Sequence, residues 1–386
     1  MSATETAPPP PAERPRPRWL ELFERLDAVN RLVLPALSVV SALVVGAVLI
    51  TFTEGPGKIW PAYWELLKAP VTSLRGISDV MVYATPLLFA GLSVALAFRA
   101  GLFNIGATGQ MLAGMMAAVY VGFTMHGPGI IQVPLGVLAA LVCGALFGAL
   151  PGFLKATTGA HEVITTIMLN SIAALVVLWL LKTGTFQIPG RKDPISRTVD
   201  KHGRLPRLFG FLDRTDLRAH FAFVIAVAMV VVVWWLLHRS TLGFQLRALG
   251  ANQDAARYAG MRPAQLTVVA MTIAGGLAGL GGAGEVLGLQ GRATASTIGN
   301  TGFDGIAVAL LGRNTPVGTF VSALLFGALQ TGGQKMQANA RVPIDLIVVL
   351  RALVVMFIAA PLLMKAVWRV RAQQSTETQL FRGWGS

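Results

Sequence analysis

The chain has 386 residues, of which 54% are hydrophobic and only 13% carry a charged side chain. Soluble domains carry about 25% charged residues, so this composition predicts one bundle of membrane spans and excludes a set of soluble domains. The formal net charge of +14 does not indicate a nucleic-acid-binding protein, because the Lys and Arg residues cluster in the tails and loops, where membrane proteins carry them.

The sequence offers no site for a metal or a nucleotide. The single cysteine, Cys143, excludes an internal disulfide, and the five histidines have no ligand spacing. No G-x-x-x-x-G-K-[ST] motif occurs. The G-x-G-x-x-G at Gly279–Gly284 lies in an apolar helical run with no strand before it, so it fails the context of a dinucleotide site. Gly275 and Gly279 instead form a G-x-x-x-G, which predicts close helix packing.

Residues 1–31 are predicted to be a cytoplasmic tail that ends in an interfacial helix. Met1–Arg18 is rich in proline and arginine and has no apolar pattern, which predicts disorder. Trp19–Val29 has one apolar helical face, which predicts a helix lying on the membrane. The basic tail predicts a cytoplasmic N-terminus, and no convincing signal-peptide cleavage site follows it.

Ten apolar segments predict an all-α polytopic membrane protein, with the transmembrane domain over residues 32–368 and a cytoplasmic tail over 369–386. In chain order the segments are Leu32–Phe52, Val80–Phe98, Leu102–Thr124, Ile130–Leu150, Val163–Leu181, Phe221–Leu237, Ala264–Leu289, Phe303–Leu311, Val317–Thr331 and Leu346–Met364. Phe303–Leu311 is far shorter than the roughly 20 residues that a span needs, so it is either a broken helix or a re-entrant segment. Ten crossings place both termini in the cytoplasm.

Two of the connecting segments are predicted to lie outside the cell. Thr53–Asp79 places Trp60, Tyr63 and Trp64 where amphipathic rings favour the headgroup level. Lys182–His220 is a long loop whose basic character runs against the positive-inside tendency, although long loops follow that tendency weakly.

A polar stretch, Arg239–Pro263, separates two apolar runs and must therefore lie at a membrane surface. It predicts one short helix of about seven residues. Asn252 suits the N-cap, Asp254 and Arg257 match the helix dipole, and Gly260 suits the left-handed C′ position. The small and aromatic side chains of this helix, Ala255, Ala256, Tyr258 and Ala259, would meet a partner. The alternative is a well-capped loop without a partner.

Within that stretch, LGFQLRALGANQDAARYAGM resembles the coupling segment of ABC-transporter permease subunits, in the subfamily that imports nucleosides, simple sugars and branched-chain amino acids. Three further stretches carry the resemblance, and the last two of them are most similar to the nucleoside branch. They are GLFNIGATGQMLAG (Gly101–Gly114), HEVITTIMLNSIA (His161–Ala173) and GFDGIAVALLGRNTPVG (Gly302–Gly318).

The resemblance implies a transport subunit of the inner or plasma membrane that has no ATPase activity of its own. ATP and Mg²⁺ would be bound by a partner ATP-binding subunit, and this chain would hold no cofactor. A second permease, as a heterodimer, and an extracytoplasmic substrate-binding protein would complete the assembly. The residues implied in ATPase coupling are Gly250, Asn252, Asp254, Ala255, Ala256, Arg257, Tyr258 and Gly260. The basic loop Lys182–His220 becomes either a docking surface for the binding protein or a solvated loop.

Polar groups inside spans are costly and tend to be functional, which predicts a substrate path. Its candidate residues are Asn104, Gln110, Asn170, Glu285 and Asp304. For Asn104 and Gln110 the alternative is an interhelical hydrogen bond, and for Asp304 it is an ordinary carboxylate at a helix N-terminus. Asn170 lies near the midplane, where transporters bind or pass substrate.

Three more residues are predicted at the cytoplasmic side, as a gate or an ATPase contact: Glu162, Arg313 and Asn314. For Glu162, a carboxylate at the N-terminus of its own helix is the alternative.

Several functions remain open at this stage. A nucleoside-like solute is favoured, with simple sugars or branched-chain amino acids as alternatives, and import is implied by the resemblance alone. A secondary transporter driven by an ion gradient is a different class. It calls for a paired titratable cluster inside the membrane, whereas the carboxylates here lie mostly near span ends. A membrane enzyme is disfavoured, because no catalytic constellation appears.

Overall fold

The computed structural model describes residues 37, 39–343 and 345–359, and it is helical throughout apart from loops with isolated β-bridges. The interfacial helix predicted at Trp19–Val29, both tails and the last residues of the tenth segment lie outside the described residues. The helices are α1 Val39–Glu54, α2 Ile59–Thr72, α3 Leu74–Arg99, α4 Ala107–Thr124, α5 Gly129–Thr158, α6 Glu162–Leu180, α7 Ala222–Arg239, α8 Thr241–Ala251, α9 Gln253–Tyr258, α10 Pro263–Ala283, α11 Thr301–Leu311, α12 Pro316–Lys335 and α13 Asp345–Ala359.

Five described helices are long and apolar enough to cross a membrane: α3, α5, α6, α7, and α10 together with its continuation to Gln290. Each coincides with a predicted segment, which confirms the all-α polytopic fold. The bounds differ mainly where helices extend past their apolar core. Thus α5 continues to Thr158, past the predicted end of its segment at Leu150.

Two of these helices form the centre of the bundle. In α3 and α10, 83% and 78% of the span are buried, against 22–28% in α5, α6 and α7. The outer three helices expose Ile, Leu, Val and Trp side chains over most of their length, as lipid contact requires. Most of the surface of α3 and α10 therefore contacts other parts of the protein.

Glycines let the central helices approach their neighbours closely. A Cβ atom added to Gly275 would lie 2.3 Å from the carbonyl oxygen of Gly144, and one added to Gly279 would lie 2.3 Å from that of Ala140. Both distances are far below van der Waals contact, so only glycine fits between α10 and α5. The G-x-x-x-G packing prediction is confirmed.

Two helices were not expected from the sequence. The segment predicted as the outer loop Thr53–Asp79 contains α2, which packs against α12 and whose Tyr63 hydroxyl donates to the carbonyl oxygen of Leu43. The stretch Arg239–Pro263 contains two helices instead of one, because α8 precedes the predicted α9. The Ser240 hydroxyl caps α8 by accepting from the N–H of Gly243 at 2.9 Å.

The bundle has two distinct ends. We call the end covered by the segment Lys182–His220 the loop end, and the opposite end, which carries α8 and α9, the α9 end. At the loop end this segment holds the termini of several helices. Arg218 Nη2 lies 2.8 Å from Asp79 Oδ1 of α3, Asp200 N–H donates to the carbonyl oxygen of Gly122 in α4, and Ser196 pairs with Ala293 after α10.

Helix α11 begins in the middle of the bundle. Gly305 packs against Ala90 of α3, which at 1.5 Å per residue lies about 16 Å from Asp79 at the loop end and about 14 Å from Arg99 at the α9 end. The chain before α11 contacts the loop end through Ala293, and the chain after α11 reaches Arg99 through Asn314. The short segment predicted at Phe303–Leu311 is therefore the helical half of a crossing, and the other half, Thr294–Asn300, is non-helical.

Two helices end in wide π-helical turns. α10 continues as a π-helix over Gly284–Gln290, and α12 does so over Met336–Ala340. Each π-helix ends at a residue in the left-handed conformation, Gly291 and Arg341 respectively. Such turns are rare and often occur at functional sites.

Candidate functional site

The capped helix α9 lies exposed at its end of the bundle. The side chain of Asn252 accepts from Ala255 N–H at 2.9 Å, and Gly260 takes the left-handed conformation with φ of 80°. Met261 N–H donates to the carbonyl oxygen of Ala256, which closes the C-terminus in a Schellman-type turn. The predicted N-cap and C′ residues are confirmed.

The two faces of α9 differ sharply. Tyr258 is 94% exposed, whereas Ala256 is 3% exposed, and Asp254, Ala255 and Arg257 are exposed. A single apolar residue thus fixes α9 to the bundle, and a large aromatic ring projects from it. The prediction that Ala256 meets a partner is wrong, because its methyl group is covered by this chain.

Gly250, the next-to-last residue of α8, connects α8 and α9 to the bundle centre. A Cβ atom at Gly250 would lie 2.4 Å from the carbonyl oxygen of Arg99 and 2.8 Å from Gly101 N, so α8 touches the end of α3 backbone to backbone. Arg99 in turn donates through Nε to the carbonyl oxygen of Asn314 at 2.8 Å. Backbone contact thus joins α8 to the end of α3, and a hydrogen bond joins the end of α3 to the turn after α11.

A groove of about 530 Å³ opens beside α9 at the same end. Its walls include Arg239, Gln245 and Arg247 and the chain from Ala259 to Met261. The groove combines the basic side chains of Arg239 and Arg247 with apolar surface from Phe244 and Met261. α9 and this groove form one continuous surface at the α9 end.

The predicted gate residues lie at the α9 end in different settings. Arg313 and Asn314 form a turn with φ of 54° and 53°, a conformation that costs side-chain-bearing residues about 1 kcal/mol or more each. Arg313 is exposed. Glu162 is 4% exposed and lies 2.5 Å from Lys155 Nζ. The buried Glu162 thus closes the α5–α6 hairpin from the first turn of α6, and its carboxylate offers no free surface to a partner.

Asn104, Gln110 and Asn170, predicted in the substrate path, instead form a buried network inside the chain. The amides of Asn104 and Gln110 pair reciprocally at 2.9 Å, and Asn104 Nδ2 also donates to Ser93 Oγ at 2.9 Å. Asn170 Oδ1 accepts from Gly109 N–H at 2.8 Å, and its Nδ2 donates to the carbonyl oxygen of Ile105 at 2.8 Å.

This network has a structural purpose. The first N–H groups of α4 have no partner within the helix, and the side chain of Asn170 from α6 supplies one for Gly109. The three residues are 1%, 1% and 8% exposed. The structure thus favours the interhelical hydrogen bond for these amides over contact with a substrate.

The two predicted carboxylates lie in different places. Asp304 is in the first turn of α11, in the middle of the bundle, and is partly exposed. Glu285 is in the π-helix that continues α10 and is also partly exposed. No described residue forms an ion pair or a hydrogen bond with the Glu285 carboxylate. A carboxylate in a span that faced lipid would be costly, so Glu285 faces either other protein or water.

Among the described residues no group of His, Cys, Asp or Glu could hold a metal ion.

The sequence gives no signal for several residues that hold these sites together. Ser93, Lys155 and Arg99 hold the network, the hairpin and the turn, and no spacing in the sequence pairs them with their partners. The exposed Ser296 and Asn300 lie in a stretch that resembles an ordinary polar loop.

Comparison with known proteins places this architecture in a transport family. Residues 76–360 match the family model described as "Branched-chain amino acid transport system / permease component". The guanosine ABC transporter permease protein NupP of Bacillus subtilis is 36% identical over 86% of this chain and 94% of its own length.

Two further relatives carry other substrates in their names. The glucose ABC transporter permease protein TsgB13 of Haloferax volcanii is 35% identical over 84% of this chain and 86% of its own. The nucleoside ABC transporter permease protein NupB of Lactococcus lactis is 32% identical over 92% of this chain and 99% of its own. With its helical bundle, several apolar spans and this breadth of similarity, the chain belongs to the family of branched-chain amino acid transport system permease components, a family of multi-pass ABC transporter permeases.

Proposed function

We propose that the chain is one membrane subunit of an ATP-driven importer for nucleosides, and that α9 is where a partner ATPase drives it. The observation that supports this is the exposed helix α9 with Tyr258 at its tip, joined through Gly250 to the centre of the bundle. The ATPase would bind ATP and Mg²⁺. Its closure would displace α9, and the movement would pass to α3 and the turn at Asn314 through the backbone contact of Gly250.

The α9 end is then cytoplasmic and the loop end faces outward across the inner or plasma membrane. With ten crossings, both termini lie in the cytoplasm. The family relation supports a second permease across the substrate path, as a heterodimer. It also supports a binding protein that delivers the solute to the loop end.

The segment Lys182–His220 is the candidate docking surface for that binding protein. It contains nine Lys or Arg and four Asp residues, a net charge of +5. Arg191 and Arg214 are neutralised by Asp193 and Asp216, and Arg218 by Asp79. Lys192 and Lys201 have no ion pair among the described residues, and they suit acidic groups on a partner.

The names of the relatives support a nucleoside as the substrate. Two of the three relatives above carry a nucleoside or guanosine name, and the third carries glucose. A nucleoside and a sugar both present hydroxyl groups, so uptake competition separates them. Uptake of radiolabelled guanosine should fall with excess unlabelled nucleosides and remain unchanged with excess ribose, glucose or leucine. Competition by a sugar or leucine alone would replace the nucleoside assignment.

The ATPase contact is tested with Tyr258→Ala. Loss of an exposed aromatic at the centre of an interface costs about 2 kcal/mol or more, which is about 30-fold in affinity. The tagged chain, purified in mild detergent from its own cell, should retain a P-loop ATPase, and the variant should lose it. Trp60→Ala, an exposed aromatic on α2, is the matched control and should retain the ATPase. Equal recovery with Tyr258→Ala would refute this contact.

A further inference from the structure

The segment between α10 and α11 is non-helical although it lies at membrane depth. Ala293 forms two hydrogen bonds with Ser196 at the loop end. Gly302 packs against Thr108 in the first turn of α4. Seven residues, Thr294–Asn300, therefore connect the loop end with the middle of the bundle. Over this stretch the chain forms only turns, bends and one β-bridge.

The segment is also exposed on one side. Ala295, Ser296, Gly299 and Asn300 are exposed, while Ile298 is buried in the core. Its internal hydrogen bonds are local: Thr294 N–H donates to the Thr297 hydroxyl, and the Thr301 hydroxyl donates to the carbonyl oxygen of Ile298. The Asn300 side chain has no hydrogen bond to any described residue.

Lipid cannot cover such a surface. In the hydrocarbon region every backbone polar group needs a partner, and non-helical backbone is tolerated only inside protein or along a water-filled cavity. An amide side chain that faces lipid without a partner adds several kcal/mol on water-to-hydrocarbon scales. The exposed face of Thr294–Asn300 therefore meets water or another polar surface.

We propose that this face is a wall of the water-filled solute path, and that Ser296 and Asn300 are solute-binding residues. A hydroxyl and a carboxamide that point into such a path donate to and accept from the hydroxyl and base groups of a nucleoside. The path runs from the loop end to the start of α11, and Asp304 in the first turn of α11 lies at its inner limit. This inference rests on the proposed function for the identity of the solute, but not for the existence of the path.

Cysteine accessibility tests the water-filled path without reference to the solute. Cys143 is the only native cysteine, so Cys143→Ala gives the background. In the assembled transporter in its membrane, Ser296→Cys and Asn300→Cys should react with a charged, membrane-impermeant thiol reagent. Ile172→Cys is the matched control, because Ile172 is exposed on the outer helix α6 at a similar depth in the bundle. The depth follows from its neighbour Asn170, which bonds to Gly109 of α4, one residue from the Thr108 that packs against Gly302. Ile172→Cys should not react.

Protection by the solute tests the binding role. Saturating guanosine should slow labelling of Asn300→Cys at least fivefold, and Asn300→Ala should raise the KM for uptake with little change in ATPase recovery. Labelling no faster than at Ile172→Cys would overturn the water-filled path. Labelling without protection by guanosine, when guanosine is transported, would overturn the role of Ser296 and Asn300. Protection only by a different transported solute would keep the site and correct the proposed substrate.

Discussion

Replacing Asn170 distinguishes a structural asparagine from a substrate ligand. The side chain satisfies Gly109 N–H and the carbonyl oxygen of Ile105, both at 2.8 Å, in a site that is 8% exposed. Asn170→Ala leaves both groups buried and without a partner. Each unsatisfied group costs about 1–3 kcal/mol, so the free energy of unfolding should fall by about 2–6 kcal/mol.

The assay is thermal unfolding of the detergent-solubilised protein, followed by size-exclusion chromatography of a fluorescent fusion. Ile172→Ala is the matched control, because this side chain is exposed on the same helix, and its midpoint should change far less. Uptake by Asn170→Ala should fall with the amount of folded protein at an unchanged KM. An unchanged midpoint together with a raised KM would refute the structural role and return Asn170 to the substrate path.

Two other predictions concern packing and pH. Gly275→Leu should prevent α10 from contacting α5 and abolish folded protein, because even a Cβ atom would lie 2.3 Å from Gly144 O. The control is Gly184→Leu, which should express normally because a Cβ atom there meets nothing within 4 Å. Equal expression of both variants would contradict the packing. Burial lowers the pKa of His220, in the loop before α7, to about 4. An unfolded histidine has a pKa of about 6.5, so the unfolded chain binds the proton first. Stability should thus be full above pH 6.5 and fall by about 3 kcal/mol as the pH drops to 4. His220→Gln should reduce this loss, and an identical pH profile would exclude His220 as its source.

Local signals in the sequence predicted α9 well and its neighbour α8 poorly. The caps Asn252 and Gly260 act through their own backbone, so residue type alone identifies them. α8 was missed although Ser240 is a good N-cap, because Gly243 and Gly250 lower helix propensity. Both glycines are required by backbone contact, with Leu236 and with Arg99 respectively, and tertiary packing overrode propensity.

The roles of the buried amides were beyond the sequence for another reason. Asn104 and Asn170 have the composition of a solute site, but Asn104 pairs with the side chains of Ser93 and Gln110. Asn170 pairs with backbone groups up to 65 residues away. Spacing along one helix does not reveal which group a side chain will meet on another. The same limit applies to α2. Its prolines and aromatic residues are typical of an interfacial loop, and only its packing against α12 distinguishes it from one.

That α11 is only the helical half of a crossing was partly predictable. Its length excluded a full helical span, but whether it crossed or re-entered depended on where its two ends meet the bundle. Contacts at Ala293 and Asn314, at opposite ends, show that the segment crosses.

The central claim, that this permease is driven by a partner ATPase through α9, is tested most directly by uptake in proteoliposomes that contain the purified complex. Guanosine uptake should require ATP on the α9 side, persist in the presence of an ionophore that collapses ion gradients, and be lost with Tyr258→Ala. Uptake that continues without ATP and stops with the ionophore would contradict the account and identify a secondary transporter.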